Sequence, residues 1–280
     1  MNLTKKCMLA SLSISQWTAK KHDARITREI DQNHNAHDAG RYNKYLLAKS
    51  ALEKSQQKVN ECRTFWYQNT LPWNDAGQQR IVTTANYLEI ANKIQKLKTG
   101  ILECWEKFFM EYPAYIEDAR ARLNGLFDPA DYPSVTKLRQ KFAFSIDFFP
   151  LPDAADFRAE LQETEANQIR QEIETRTKTA TAEAMRDLYR RLYDVTRHMA
   201  DRLGDPKAKF KNSLVQNIIE LCQLLPRLNL TDDPRLDALR QEIETKLTQY
   251  TPDVLRDNET ARKTTAQEAE AIMKKMEGIF

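Results

Sequence analysis

The sequence predicts a mainly α protein with long antiparallel, coiled-coil-like helices and a small two-stranded, or slightly larger, β element. Three observations carry this expectation. Glycine occurs only 6 times in 280 residues while 30% of the side chains are charged, which is the profile of long helices rather than of sheets. Apolar residues recur at steps of three and four through most of the chain. Clean period-2 alternation is confined to "MLASLSIS" and "KFAFSIDFFPLP", so strands are few.

Taken in order, "MLASLSIS" sets Leu12 and Ile14 against Ser11, Ser13 and Ser15 and predicts a strand near residues 7–15. A helical pattern from Thr18 to Asp31 is interrupted at "DQNHNAHDAG" by poor helix formers and Gly40. From Arg41, the spacing of Leu46, Leu52, Val59, Cys62 and Trp66 predicts a second helix, ended by "NTLPWNDAG". A third, from Gln78 to Glu111, carries Ile81, Leu88, Ile94, Leu97, Ile101, Trp105 and Phe108 on one face. Its short connection to the second predicts that the two are antiparallel. "EYPAYIEDARARLNGLF" predicts a shorter helix capped near Gly125. In "KFAFSIDFFPLP", Phe142, Phe144, Ile146 and Phe148 share one face, Ala143, Ser145 and Asp147 the other, and Pro150 and Pro152 end the strand. A lone strand leaves its backbone groups unpaired, so this one is expected beside residues 7–15.

From Asp153 the chain has neither Gly nor Pro until Gly204, enough for one helix of roughly 75 Å. Phe157, Leu161, Ile169, Ile173, Ala180, Ala184, Leu188, Leu192, Val195, Met199 and Leu203 form its apolar stripe. Residues 153–175 hold seven acidic and two basic side chains, and residues 176–211 hold five acidic and ten basic, so the rod is charge-polar. Helices follow at about 214–224, 235–250 and 257–276, with Asp233 as N-cap and Pro234 at the first position of the second. The expected organisation is residues 1–152 as strand plus helical hairpin, and 153–280 as long helix plus helical bundle.

Composition and motifs then restrict function. With 43 basic and 40 acidic residues, attraction to nucleic acid requires a local patch, not a global field. Cys7, Cys62, Cys104 and Cys222 form no CxxC pair and have no nearby His at ligand spacing, which points to reduced, buried thiols and a reducing cytoplasm. "MNLTKKCMLASLSISQW" is too dilute in apolar residues for a signal peptide or membrane span, so no membrane association is expected. The sequence contains no GxxxxGK[ST], GxGxxG, HExxH or GxSxG pattern, so neither cofactor nor catalytic residue is assigned. His34 and His37, flanked by Asp31 and Asp38, read as a solvated kink rather than a metal site, and His198 beside Asp194 and Asp201 has no nucleophile near it in the sequence.

Two constellations remain. The face of Leu188, Leu192, Val195 and Met199 is the candidate interface for a second copy or another helical protein. Arg186, Arg190, Arg191, Arg197, Arg202, Lys207, Lys209 and Lys211, with Tyr189, Tyr193 and Phe210 between them, are the candidate nucleic-acid contacts. Asp187, Asp194, Asp201 and Asp205 in the same run also fit a salt-bridged surface.

At "DAGRYNKYLLAKSAL", "NTLPWNDAGQQRIVTTANYLEI" and "FSIDFFPLPDAADFR" the chain resembles an uncharacterised family of phage and mobile-element proteins, often encoded beside MoxR-like AAA+ ATPases and von Willebrand factor A-like proteins. The resemblance covers about the first 200 residues and assigns no residue a role. It implies a phage or integrated-element origin and an accessory role to an ATP-driven machine. The leading expectation is a non-enzymatic, self-associating scaffold or ATPase partner; the alternative is nucleic-acid binding along residues 186–211.

Overall fold

The computed structural model describes residues 3–74, 78–154 and 162–279. The chain is mainly helical with a small antiparallel sheet. In that sheet the order is β4 (Leu71–Asn74), β5 (Gln79–Thr83), β1 (Cys7–Ser15), β6 (Ala143–Phe149). The two strands expected from alternation are therefore neighbours. β1 also pairs antiparallel with β5, Cys7 opposite Thr83 and Ala10 opposite Arg80, and β5 pairs antiparallel with β4 across a bulge at Pro72/Asn74. This corrects the expected helix start at Gln78: "QRIVT" is β5. Ile81, Val82 and Thr83 are consecutive and all buried, and β-branched side chains suit a strand covered on both faces.

Two compact units divide the chain. One contains Met1–Ser11, Tyr67–Ile90 and Asp147–Phe280, the other Leu12–Trp66 and Ala91–Ile146. The second is built on α2 (Ser50–Asn69) and α3 (Thr84–Leu123). Trp105 Nε1 donates to Ser55 Oγ at 3.0 Å and Lys93 lies 3.8 Å from Glu61, so partners run in opposite order along the two helices, which are antiparallel as expected. Val59, Cys62, Trp66, Ile94, Leu97, Ile101 and Phe108 are buried in this unit. Phe142 meets Trp105 and Phe109 edge to face. The helix expected to end at Glu111 and the shorter one expected in "EYPAYIEDARARLNGLF" are a single helix, α3, which runs 40 residues through Pro113. Phe108, Phe109 and Tyr112, buried in the turn before the proline, supply packing that outweighs the one backbone hydrogen bond it removes.

A two-stranded antiparallel ribbon, β2 (Lys20–His22) and β3 (Asn43–Tyr45), brackets α1 (Ala24–Asn33). The expected helices from Thr18 and from Arg41 accordingly start later, at Ala24 and Ser50. Electrostatics accounts for the strand pairing: Lys21 stands opposite Lys44, and both ammonium groups pair with Asp131, Lys44 at 2.7 Å. Asp131 closes a short 3-10 turn, Pro129–Asp131, ahead of α4 (Val135–Arg139).

The core of the first unit forms where α5 (Glu163–Gly204) packs on α9 (Glu259–Met276), with α6 (Ser213–Leu228), α7 (Pro234–Leu247) and α8 (Pro252–Asp257) around them. Cys7, Leu9, Leu71 and Ile81 from the sheet join the same apolar cluster. α5 has 42 residues, about 63 Å at 1.5 Å per residue. The predicted start of its stripe, Phe157 and Leu161, lies outside the described residues. Asp233 caps α7 as expected, its carboxylate accepting from Arg235 N at 2.9 Å with Pro234 next to it. No helix among the described residues is long and apolar enough to cross a membrane.

Candidate anion-binding site

The apolar stripe of α5 is occupied by its own chain. Leu188, Leu192 and Met199 are each 0% exposed in the cluster shared with α6, α7 and α9, and Val195 packs against that cluster. Helical periodicity identified an apolar face correctly, and in the fold that face is core, with Val195 half-buried against it.

The basic run divides into separate groups. Arg191 is drawn inward and donates to the carbonyls of Gln68, Tyr67 and Thr70 at 2.6, 3.1 and 2.7 Å, while Asp187 faces it at 2.8 Å. Burial pulls its guanidinium below the ordinary value against the attraction of Asp187. It ties down the end of α2 and is not available to a phosphate, which corrects its assignment as a nucleic-acid contact. Arg186 pairs with Glu183 and Arg197 with Asp201, both at exposed i,i+3 or i,i+4 spacing. Arg190 and Lys207 are exposed.

Lys209 and Lys211 come together with two residues from α5. His198 and Arg202, one helical turn apart, line a hollow of about 370 Å³ with Lys209, Lys211, Ser213 and Asn217, floored by Phe210 and Leu214. Among the described residues, no carboxylate stands within ion-pair distance of Arg202, Lys209 or Lys211. The nearest acidic side chains in the run are engaged elsewhere: Asp201 with Arg197, and Asp205 with the Lys207 backbone N–H at 2.9 Å. The first turn of α6 opens on the same hollow with no acidic residue in it and no side-chain cap, so its backbone adds partial positive charge.

Two arginines far along the chain hold this wall. Arg262 on α9 donates to the carbonyls of Arg202, Leu203, Asp205 and Ala208 at 2.9, 3.1, 2.5 and 2.9 Å. Arg256 on α8 donates to Phe210 O at 3.3 Å and to the Asn212 side-chain oxygen, which is why Asn212 does not cap α6. Both guanidinium groups also lie against the Phe210 ring. The lysines thus project from a braced loop. Sequence reasoning singled out the lysines and Arg202. It missed His198 in this role, whose only signal is its i,i+4 spacing to Arg202, and it missed Arg256 and Arg262, about fifty residues away.

Elsewhere, His34 follows the last turn of α1 as its C-cap. Among the described residues no three His, Cys, Asp or Glu side chains are grouped to hold a metal ion. Cys7, Cys62 and Cys222 are buried and free, with burial pushing their thiols up to about 11, 11 and 12. Compared with known proteins, the chain matches no family model, no curated protein and no solved structure.

Proposed function

We propose that the chain binds nucleic acid through its phosphate backbone, with Arg202, Lys209 and Lys211 as the contacts. The observation that carries this reading is three cations without carboxylate partners around one braced hollow. An unpaired surface cation retains its counterions until a phosphate replaces them, and the release of those ions drives binding. Preorganisation by Arg256 and Arg262 lowers the cost of ordering the loop.

The test is fluorescence anisotropy on a labelled duplex between 50 and 200 mM salt. Lys209→Ala with Lys211→Ala is expected to weaken binding at every salt concentration and to reduce the slope of log K against log salt by about 1.8, roughly 0.9 per lost contact. Unchanged affinity and slope, with an unchanged far-ultraviolet circular dichroism spectrum, would sink the reading.

A second reading rests on a different observation. β6 is an edge strand, and its Phe148 and Phe149 are 42% and 40% exposed. Open edges with exposed aromatics favour protein contacts, so self-association, or docking to an AAA+ ATPase of the kind the sequence resemblance implies, is assigned to this strand rather than to the α5 stripe. Light scattering should give an oligomeric mass that drops to the monomer in Phe149→Asp. A monomeric wild type that also captures no ATPase removes this reading.

A further inference from the structure

The β2–β3 ribbon sorts its residues onto two faces. Lys21 and Lys44 pair across the ribbon and turn toward Asp131. The alternate positions, Lys20 opposite Tyr45 and His22 opposite Asn43, form the other face and are all exposed. On that face the Lys20 ammonium lies 4.8 Å from the centroid of the Tyr45 ring and the Lys49 ammonium 5.5 Å. Neither lysine has an ion-pair partner among the described residues. Tyr45 is 41% exposed on a rigid backbone, its carbonyl accepting from Arg122 at 3.0 Å while the next residue, Leu46, donates its N–H to Ala19 O at 2.8 Å. Residues 16–49 hold seven basic and four acidic side chains, and two of the acidic ones, Asp31 and Asp38, lie in or beyond the last turn of α1.

We infer that this face is a second nucleic-acid contact, specific for single strands, in which Tyr45 stacks on an unpaired base while Lys20 and Lys49 hold the flanking phosphates. An aromatic ring between two flexible cations suits an unstacked base better than an acidic peptide, because every base has a face to stack and a peptide carboxylate has none. The lysines presently resting on the ring are no obstacle. An exposed cation–π contact is weaker than base stacking, and each ammonium exchanges it for a phosphate oxygen on a stem free to swing. A duplex keeps its bases stacked inside and gains nothing from Tyr45.

The inference rests on the nucleic-acid reading above but uses none of its residues. The experiment measures anisotropy of a labelled oligothymidine and of a duplex of equal length on the full chain, with polyglutamate as competitor. Tyr45→Leu is expected to weaken the single strand about tenfold and the duplex less than twofold. Lys20→Ala with Lys49→Ala should reduce the single-strand salt slope by about 1.4, at roughly 0.7 per contact. Equal losses on both nucleic acids, no loss on either, or displacement by polyglutamate that is independent of Tyr45 would overturn the inference; the last outcome would assign the face to acidic peptides. If Lys209→Ala with Lys211→Ala leaves binding intact while Tyr45→Leu removes it, the hollow fails and the ribbon stands. Should Tyr45→Leu not fold, the double lysine variant decides by its slope alone.

Discussion

Asp131 shows how one side chain holds a local structure together. Burial alone would raise its carboxyl, but hydrogen bonds from Lys21 and Lys44 outweigh that and keep it below the usual carboxylate range. Lys44 also donates to Leu126 O at 2.8 Å and lies 3.6 Å from Asp23. The folded-state value lies beneath the unfolded value of about 3.9, so the stabilisation is complete above roughly that pH. It is lost as pH falls through the folded value. Thermal melts from neutral pH down to about pH 3 should show an acid limb that is shallower in Asp131→Asn. At neutral pH the same variant should lose on the order of 3 kcal/mol, because it leaves the ammonium of Lys44, 6% exposed, with Asp23 at 3.6 Å as its remaining counter-charge. An acid limb identical to wild type would show that Asp131 is not the group responsible.

At the scale of elements, what could be read in advance depended on how many residues shared a pattern. α7 was legible because cap and periodicity agree, Asp233 and Pro234 starting it where expected, whereas the six-residue α8 was missed and α6 runs through Pro226 to Leu228, past the end expected near Leu224. β1 and β6 were legible from seven or more residues of alternation. β2 and β3 have three residues each, too few to express a period. In β5, Ile81 also fits a helical stripe, and only the unbroken burial of Ile81, Val82 and Thr83 distinguishes the strand. Half of the hollow was legible for the same reason: Lys209 and Lys211 are close in sequence, but Arg256 and Arg262 reach them only through the fold. The stripe of α5 was legible as apolar, yet periodicity names a face and not what covers it. Leu192→Ala should therefore cost about 2–5 kcal/mol in urea unfolding without changing molecular mass. A change of mass at unaltered stability would return that face to the role of an interface.

At the scale of the whole molecule, neither compact unit is a continuous piece of chain. The boundaries at residues 11/12, 66/67, 90/91 and 146/147 fall inside β1, α2, α3 and β6. The core of the first unit needs Cys7, Leu9, Leu71 and Ile81 as much as it needs α5 to α9. A fragment of residues 153–280 is thus expected to keep helical signal in the far ultraviolet while losing its near-ultraviolet signal and its sharp melt, since the sheet side chains that complete its core are gone. A cooperative melt equal to that of the full chain would show that the helical bundle stands alone.

The same interleaving sets an order of events during synthesis. Every residue of the second unit has been made once Ile146 is in place, but the first must wait for α9, which ends at Met276. At 5–20 residues per second that delay is on the order of ten seconds. Through it, the sheet side chains Cys7, Leu9, Leu71 and Ile81 and the apolar face of a half-made α5 stand open on the nascent chain, so the interval most exposed to aggregation comes after one unit has already folded.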